Sequence, residues 1–299
     1  MKFSAKTFVK KNINGWLFNL PLFIGLLVFT AIPMVMSLLY SFYETDGITA
    51  IPVGFANYIR IFTLHDSQLP RILLNTIIYT LISIPLNLVL SYLLAVLLNT
   101  KVKGLGIFRV VYYLPVIIPG VVAGLLWKDI YDNTYGIFNK ILSFFGIAPQ
   151  TWFSDAKTAM ASLLLMNVWG IGGGMILWLS AFKNIPAQLY ESAKLDGAGP
   201  IRRFLHITIP LSTPMIFFNV ITSIIGTLQY NGTLTFAGRA GRGPDDSLYM
   251  YGVKIYNEAF VRSNVGYGSA LSWVLLIVVG LITLVLFKTS KWVFYGEDS

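Results

Sequence analysis

Six long apolar runs leave this chain few folds to choose from. They cover roughly Trp16–Tyr43, Ile72–Leu98, Gly106–Trp127, Ala159–Phe182, Thr213–Tyr230 and Tyr267–Phe287. A helix needs about 20 mostly apolar residues to cross the hydrocarbon core of a bilayer, and each run is near that length. Apolar residues make up 56% of the sequence and charged residues 12%, against about 45–50% and about 25% in soluble domains. A soluble core has no room for that much apolar surface, so lipid has to cover it. The runs lack the strict alternation of a membrane barrel. The expected fold is all-α and integral to the membrane, a single domain over residues 1–299 with six transmembrane helices. The fifth run is the most interrupted, by Asn219, Gly226 and Gln229.

Six spans put both termini on one side, and the Lys/Arg bias says which side. Lys2, Lys6, Lys10, Lys11, Lys101, Lys103, Arg109, Lys183, Lys194, Arg202, Arg203, Lys288 and Lys291 share the side of the termini with only Glu191, Asp196, Glu297 and Asp298. On the opposite side nine acids match nine bases, so the whole formal charge of +9 falls on one face. That face is expected to be cytoplasmic. The basic excess is then a topology signal and not a nucleic-acid footprint. The first run is too long for a signal peptide and lacks a small-residue cleavage site, so it is expected to stay as a span. Three opposite-side loops, Glu44–Arg71, Lys128–Thr158 and Asn231–Gly266, are each near 30 residues and rich in aromatics and Asn. That suits a partner outside.

Several chemistries are excluded. The chain has no cysteine, so structural disulfides and Cys-based metal sites are out. Its two histidines, His65 and His206, fall in opposite loops, so no His-based metal centre is expected. No Gly-x-x-x-x-Gly-Lys-Ser/Thr loop occurs, and the chain should not hydrolyse ATP itself. Gly170-Ile-Gly172-Gly-Gly174 sits inside a span with no strand before it. It is read as close helix packing or as room for substrate.

A charged island at residues 184–210 separates the fourth and fifth runs. Pro186 suits a first helical turn and Gly197 a helix end. Leu189, Tyr190 and Ala193 fall near one face of the helix between them, and Glu191 and Lys194 stand at i,i+3, where they can pair. Ala193, Gly197, Ala198 and Gly199 are small enough to let another surface approach. Pro200 opens a second short helix through Arg202, Arg203 and Phe204, and Pro210 ends the island at the next span. Arg202 and Arg203 read equally well as ordinary positive-inside charges. The spacing is Glu191-Ser192-Ala193, three residues, Gly197, nine residues, Ile207, one residue, Ile209-Pro210. It resembles the EAA loop of ABC-importer permeases, with Ser192 in place of the usual Ala and Ile209 in place of Leu. The resemblance implies coupling helices seated in a groove of a separate ATPase, with Tyr190, Glu191, Ser192, Ala193, Asp196 and Gly197 at the contact.

The likeness extends from about Trp16 to Tyr295. Val53-Gly-Phe-Ala-Asn-Tyr58, Asn75-Thr76, Leu114-Pro115 with Pro119, Trp127, Asn167-Val-Trp169, Ala259-Phe260 and Gly266-Tyr-Gly-Ser-Ala-Leu-Ser-Trp273 resemble carbohydrate-uptake permeases of the maltose and glycerol-phosphate type. The six-span pattern is similar to the F-type partner of that pair without its extra N-terminal helices. Gly238-Arg-Ala-Gly-Arg-Gly-Pro244 departs from the family: it is longer than the usual turn and carries two arginines. The resemblance implies a second homologous permease, an ATPase dimer that holds ATP and Mg, an extracellular solute-binding protein, a sugar substrate, and a multi-pass place in a bacterial cytoplasmic membrane. No cofactor is expected on this chain.

Polar groups within a span are costly unless they face a cavity or a neighbouring helix. Asn75, Asn87, Asn167, Trp169, Asn219, Gln229, Tyr230, Asn231 and Trp273 qualify. Amides bond sugar hydroxyls and aromatic faces cover sugar C–H faces. Buried Asn also serves as helix-packing glue, and Trp16, Trp127 and Trp292 read as interfacial anchors. The resemblance singles out Asn167 for the sugar site, and Gly170, Ile171 and Gly174 follow it on nearly one helical face. The expected pathway is Asn167, Trp169, Gly170, Ile171, Gly174, Gln229, Tyr230 and Asn231. No charge sits clearly mid-span, which argues for a neutral solute. The main alternative is a secondary transporter, but neither inverted repeats nor mid-span coupling charges are evident. A membrane enzyme would need a catalytic cluster that the two isolated histidines and loop acids do not supply.

Overall fold

The structure is a computed structural model and describes residues 13–100 and 103–294. Lys2, Lys6, Lys10, Lys11, Lys101, Tyr295, Glu297 and Asp298 lie outside the described residues. The chain divides into two compact units. One is built from the stretch up to His65 with Glu258–Val274, the other from Asp66–Asn257 with the stretch from Leu275 on.

The first unit opens with α1 (Ile13–Leu26) and α2 (Ile32–Tyr40), joined through a π turn at Leu27–Ala31. Together they give a continuous apolar helix over Gly15–Tyr40, and no residue of its most apolar window is buried. Apolar surface of that extent is stable only where lipid or another subunit removes it from water. Strands β1 (Tyr43–Thr45) and β2 (Ala50–Pro52) pair antiparallel, Glu44 opposite Ile51. The Asp46 carboxylate closes their turn by accepting from the backbone N–H of Ile48 at 2.8 Å and of Thr49 at 2.7 Å. These bonds hold the Asp46 carboxyl below the usual carboxylate range. Helix α3 (Ala56–Phe62) follows. Its Asn57 amide donates to the carbonyls of Ser41 and Tyr43, both at 3.0 Å.

The second unit holds α4 (Leu69–Leu98), α5 (Leu105–Ile117), α6 (Gly120–Ile130), α7 (Ile137–Phe144), α8 (Ala156–Val168), α9 (Gly172–Lys183), α10 (Ala187–Leu195), α11 (Pro200–Arg203), α12 (Ile209–Leu228) and α13 (Tyr251–Tyr256). Helix α14 (Val265–Lys288) begins in the first unit and ends in the second. The core lies where α4, α9 and α12 meet. Tyr92, Ala95 and Leu98 pack against Met175, Trp178 and Phe182. The Tyr92 ring stands edge-on to Trp178 and Phe182, at 5.0 and 5.2 Å. Its hydroxyl shares a hydrogen bond with Ser212 at 2.9 Å, and the Trp178 indole N–H donates to Ser91 Oγ at 2.9 Å. In lipid, packing and such satisfied polar contacts hold helices together, because hydrocarbon offers no hydrophobic drive between them.

Among the described residues, four helices are long and apolar enough to cross a membrane: Gly15–Tyr40, Leu69–Leu98, Pro200–Leu228 and Val265–Lys288. Two bent pairs bring the count to six if each pair is one crossing. Three expectations change here. The run over 106–127 is not one helix. Helices α5 and α6 meet at 100°, because Ile118 before Pro119 is driven out of the helical region, to φ −71° and ψ 126°. The run over 159–182 bends by 44° between α8 and α9. The fifth span does not start after the island. It begins at Pro200 and runs to Leu228 through a π turn at Phe204–Thr208. The wider turn accommodates Pro210, which has no N–H and in a regular helix would clash one turn back.

Candidate functional site

A cavity of about 730 Å³ opens in the second unit at the two helix breaks. Pro115, Ile118, Gly120, Val121, Ala123 and Trp127 form one wall, Met166, Asn167, Trp169 and Gly170 the second, and Tyr230, Asn231, Gly232, Leu234, Thr235 and Phe236 with Tyr256 the third. The volume is within the range of small-ligand sites, about 300–1,000 Å³. No charged side chain is among the described residues that line it. Asn167 sits at the end of α8. Its amide NH2 donates to the Tyr79 hydroxyl at 2.9 Å, and its amide oxygen has no partner among the described residues. The Tyr79 ring lies 4.9 Å from that of Tyr230. Trp169 stands edge-on to Trp127 at 5.8 Å.

Five residues expected on the pathway therefore meet: Asn167, Trp169, Gly170, Tyr230 and Asn231. Three do not line the cavity. The bend after α8 breaks the face on which Ile171 and Gly174 were to follow Asn167. Ile171 packs against the core instead. A Cβ on Gly174 would lie 2.8 Å from Ser91 Oγ, and one on Gly172 would overlap the Tyr112 carbonyl, so these glycines serve close helix packing. Gln229 is exposed. Three further polar candidates are occupied elsewhere. Asn219 and Asn87 donate back to Met215 and Ser83 in their own helices, and Asn75 to the carbonyls of Asp246 and Tyr249. Trp127 is only 6% exposed and lines the cavity, so it is not an interfacial anchor; Trp16 and Trp292, at 49% and 52%, remain exposed. The 232–236 loop escaped the sequence reading because it has no periodicity. Gly124 admits it to α6: a Cβ there would meet Thr235 Oγ1 at 2.5 Å and Phe236 at 2.9 Å.

The second feature is the 184–210 hairpin. Helix α10 ends in a closed cap: Gly197 N–H donates to the Lys194 carbonyl at 3.1 Å and Ala198 N–H to that of Ala193 at 2.8 Å. Gly197 takes φ +79°, the left-handed geometry this cap requires and glycine adopts without penalty. Glu191, Ser192, Asp196 and Gly197 are exposed and Ala193 is half-buried. The open space around Gly197 was not foreseen: a Cβ there would meet nothing within 4 Å, so Ala193 does not crowd it. Glu191 and Lys194 form no ion pair among the described residues. Tyr190 faces inward. It packs against the core, and its hydroxyl shares a hydrogen bond with Thr208 at 2.9 Å, which ties α10 to the foot of the fifth span. Leu195 and Ile201, 90% and 73% exposed, flank the turn with apolar surface.

No group of three or more metal-ligating side chains occurs among the described residues. A bundle of membrane-length helices with an uncharged cavity at two helix breaks and a protruding capped hairpin is the architecture of a transport permease. Residues 50–293 match the family of binding-protein-dependent transport system inner membrane components. The chain belongs to that family and is a permease subunit of an ABC importer. It is 39% identical to the probable ABC transporter permease protein YesP of Bacillus subtilis, over 97% of this chain and 95% of that one. It is 31% identical to the lactose transport system permease protein LacF of Rhizobium radiobacter, over 94% and 95%. In fold it is similar to a chain of the bacterial alginate ABC transporter crystallised with an alginate pentasaccharide-bound periplasmic protein. The TM-score is 0.84 at 21% identity, covering 96% of this chain and 97% of that chain.

Proposed function

We propose that this permease pairs with a second, homologous permease, carries a saccharide across the cytoplasmic membrane, receives it from an extracellular binding protein, and is driven by a separate ATPase dimer seated on the 184–210 hairpin. The observation that carries the substrate class is the cavity. Asn167 offers a free amide oxygen to a hydroxyl, Trp169 and Tyr230 offer aromatic surface, and no charge competes. Lactose transport by a 31% identical relative supports it. Energy coupling rests on the exposed hairpin: Leu195 and Ile201 offer apolar surface for a partner, and Tyr190 passes any movement of α10 to the fifth span. ATP and Mg belong to the ATPase. Both termini are cytoplasmic on the positive-inside distribution.

Co-expression with the ATPase and second permease, followed by reconstitution, tests this reading. Sugar uptake that depends on both ATP and the binding protein is the expected result; failure of the ATPase to co-purify would sink it. In that system Asn167→Ala should lower uptake at limiting sugar about tenfold, the effect of losing an interaction of about 1.4 kcal/mol, while leaving complex assembly intact. Wild-type uptake by the variant would remove Asn167 from the site. The topology has its own check. Single cysteines placed at 103, 202 or 291 of this cysteine-free chain should resist an impermeant thiol reagent in intact cells, and those at 133 or 245 should react. Labelling at 202 would overturn the orientation.

A further inference from the structure

A second recess, of about 620 Å³, is lined by Arg71, Arg239, Arg242, Asp245 and Asp246. It is formed by the first turn of α4 and the loop that follows the cavity wall. The three arginines have different surroundings. Arg242 is half-buried, with its guanidinium 4.5 Å from the Tyr249 ring centre. It holds Asp246 in a fork, through Nε at 2.7 Å and Nη2 at 2.5 Å. That hydrogen bonding, ahead of the charge attraction, raises the Arg242 pKa above its ordinary value. Arg71 and Arg239 are exposed and form no ion pair among the described residues. The backbone around them is unusual. Arg239, Ala240, Asp245 and Asp246 all take φ between 45° and 57°, a region costing about 1–3 kcal/mol per non-glycine residue, found where the surroundings fix a loop for binding. Gly241 and Gly243 lie too close to Leu234 and Leu248 to admit a side chain freely. The loop is thus clamped in place, with Arg239 on it and Arg71 on α4 beside it, neither in an ion pair among the described residues.

We propose that this recess binds carboxylates on the surface of the extracellular binding protein, with Arg71 and Arg239 as the contacts and Arg242 as the residue that holds the loop. The proposal rests on the importer reading and on the outward placement of this loop. A planar guanidinium recognises a carboxylate through paired hydrogen bonds, which suits Arg over Lys for such a contact. A carboxylate on the transported saccharide fits less well. The cavity wall begins at Phe236, three residues before Arg239, and has no cation to receive an anion. A charged substrate moving inward would lose its partner and its water together. A carboxylate that belongs to the docking protein stays at the rim.

The test uses the reconstituted transporter and its sugar-loaded binding protein, with ATP hydrolysis followed at low and high salt. Arg71→Glu/Arg239→Glu should raise the binding-protein concentration for half-maximal stimulation about tenfold or more at low salt, leave the maximal rate unchanged and flatten the salt dependence, as rim charges act on encounter. Arg71→Gln/Arg239→Gln should fall between that variant and wild type. Both side chains are exposed, so unchanged basal hydrolysis and a single gel-filtration peak confirm folding. An unaltered half-saturation and salt slope in the Glu variant would overturn the proposal. So would a loss confined to import of carboxylated sugars at normal half-saturation, which would assign the recess to substrate. If binding protein fails to stimulate even the wild-type complex, the binding-protein dependence proposed above falls and takes this proposal with it.

Discussion

In a Gly197→Asp variant we expect the helices to form and the ATPase to be lost. Within the chain the change is mild. Nothing lies within 4 Å of a Cβ at this position, and the left-handed φ of +79° costs a non-glycine residue about 1–2 kcal/mol. The larger effect falls on the partner. Gly197 closes the cap at the tip of the hairpin, between exposed Leu195 and Ile201, and a carboxylate there would be desolvated without a counter-charge in any groove that receives the tip. Pull-down of the ATPase and sugar uptake, at matched abundance in membranes, should both fall by tenfold or more, each factor of ten being about 1.4 kcal/mol. Gly197→Asn separates charge from bulk. Asn matches Asp in size and in its tolerance of the left-handed region but carries no charge, so it should restore function if the desolvated carboxylate is at fault, and should fail like Asp if the groove leaves no room for a side chain at the tip. Glu191→Ala should act weakly, since an exposed charge contributes on the order of 1 kcal/mol or less. Normal binding and normal uptake in Gly197→Asp would show that this hairpin is not the coupling element.

That prediction was available from the sequence because helix ends are local. Pro186 and Gly197 bracket α10 as expected, while the open space around Gly197 depends on how the hairpin stands in the fold. The apolar runs located the candidate crossings for the same local reason. They did not give the shape of those crossings. A hydropathy window is blind to a 100° turn, although Ile118-Pro119 contains its cause. The cavity was half legible. Asn167, Trp169, Gly170, Tyr230 and Asn231 were found because polar groups within an apolar run stand out. Trp127 was misread because a tryptophan near a run's end looks the same whether it faces lipid headgroups or a cavity. Asn75 shows the deeper limit. Its amide partners, the carbonyls of Asp246 and Tyr249, lie more than 170 residues away, and no local pattern reports them.

Lys254 is the residue whose loss should cost the fold most. By sequence it is one of nine bases on the outer side, balanced in a sum and otherwise ordinary. In the structure its side chain is wholly buried. Nζ lies 2.6 Å from the Asp66 carboxylate, itself only 5% exposed, and donates to Gln68 Oε1 at 3.3 Å. Asp66 also accepts from the Gln68 backbone N–H at 3.1 Å, so the pair joins α13 to the start of α4. Lys254→Met keeps the volume and strands the carboxylate. Breaking a buried pair in this way costs about 3–5 kcal/mol, which at about 2–4 °C per kcal/mol corresponds to a fall in Tm on the order of 10 °C. The double variant Lys254→Met/Asp66→Asn should recover most of that loss, because neutralising both members removes the buried charge that lost its counter-ion, and the Asn amide oxygen can still accept from the Gln68 backbone N–H. Tm of the detergent-solubilised protein, followed by tryptophan fluorescence, distinguishes the outcomes. A double variant less stable than the single would mean that the ion pair itself, and not the avoidance of a lone buried charge, holds α13 against α4.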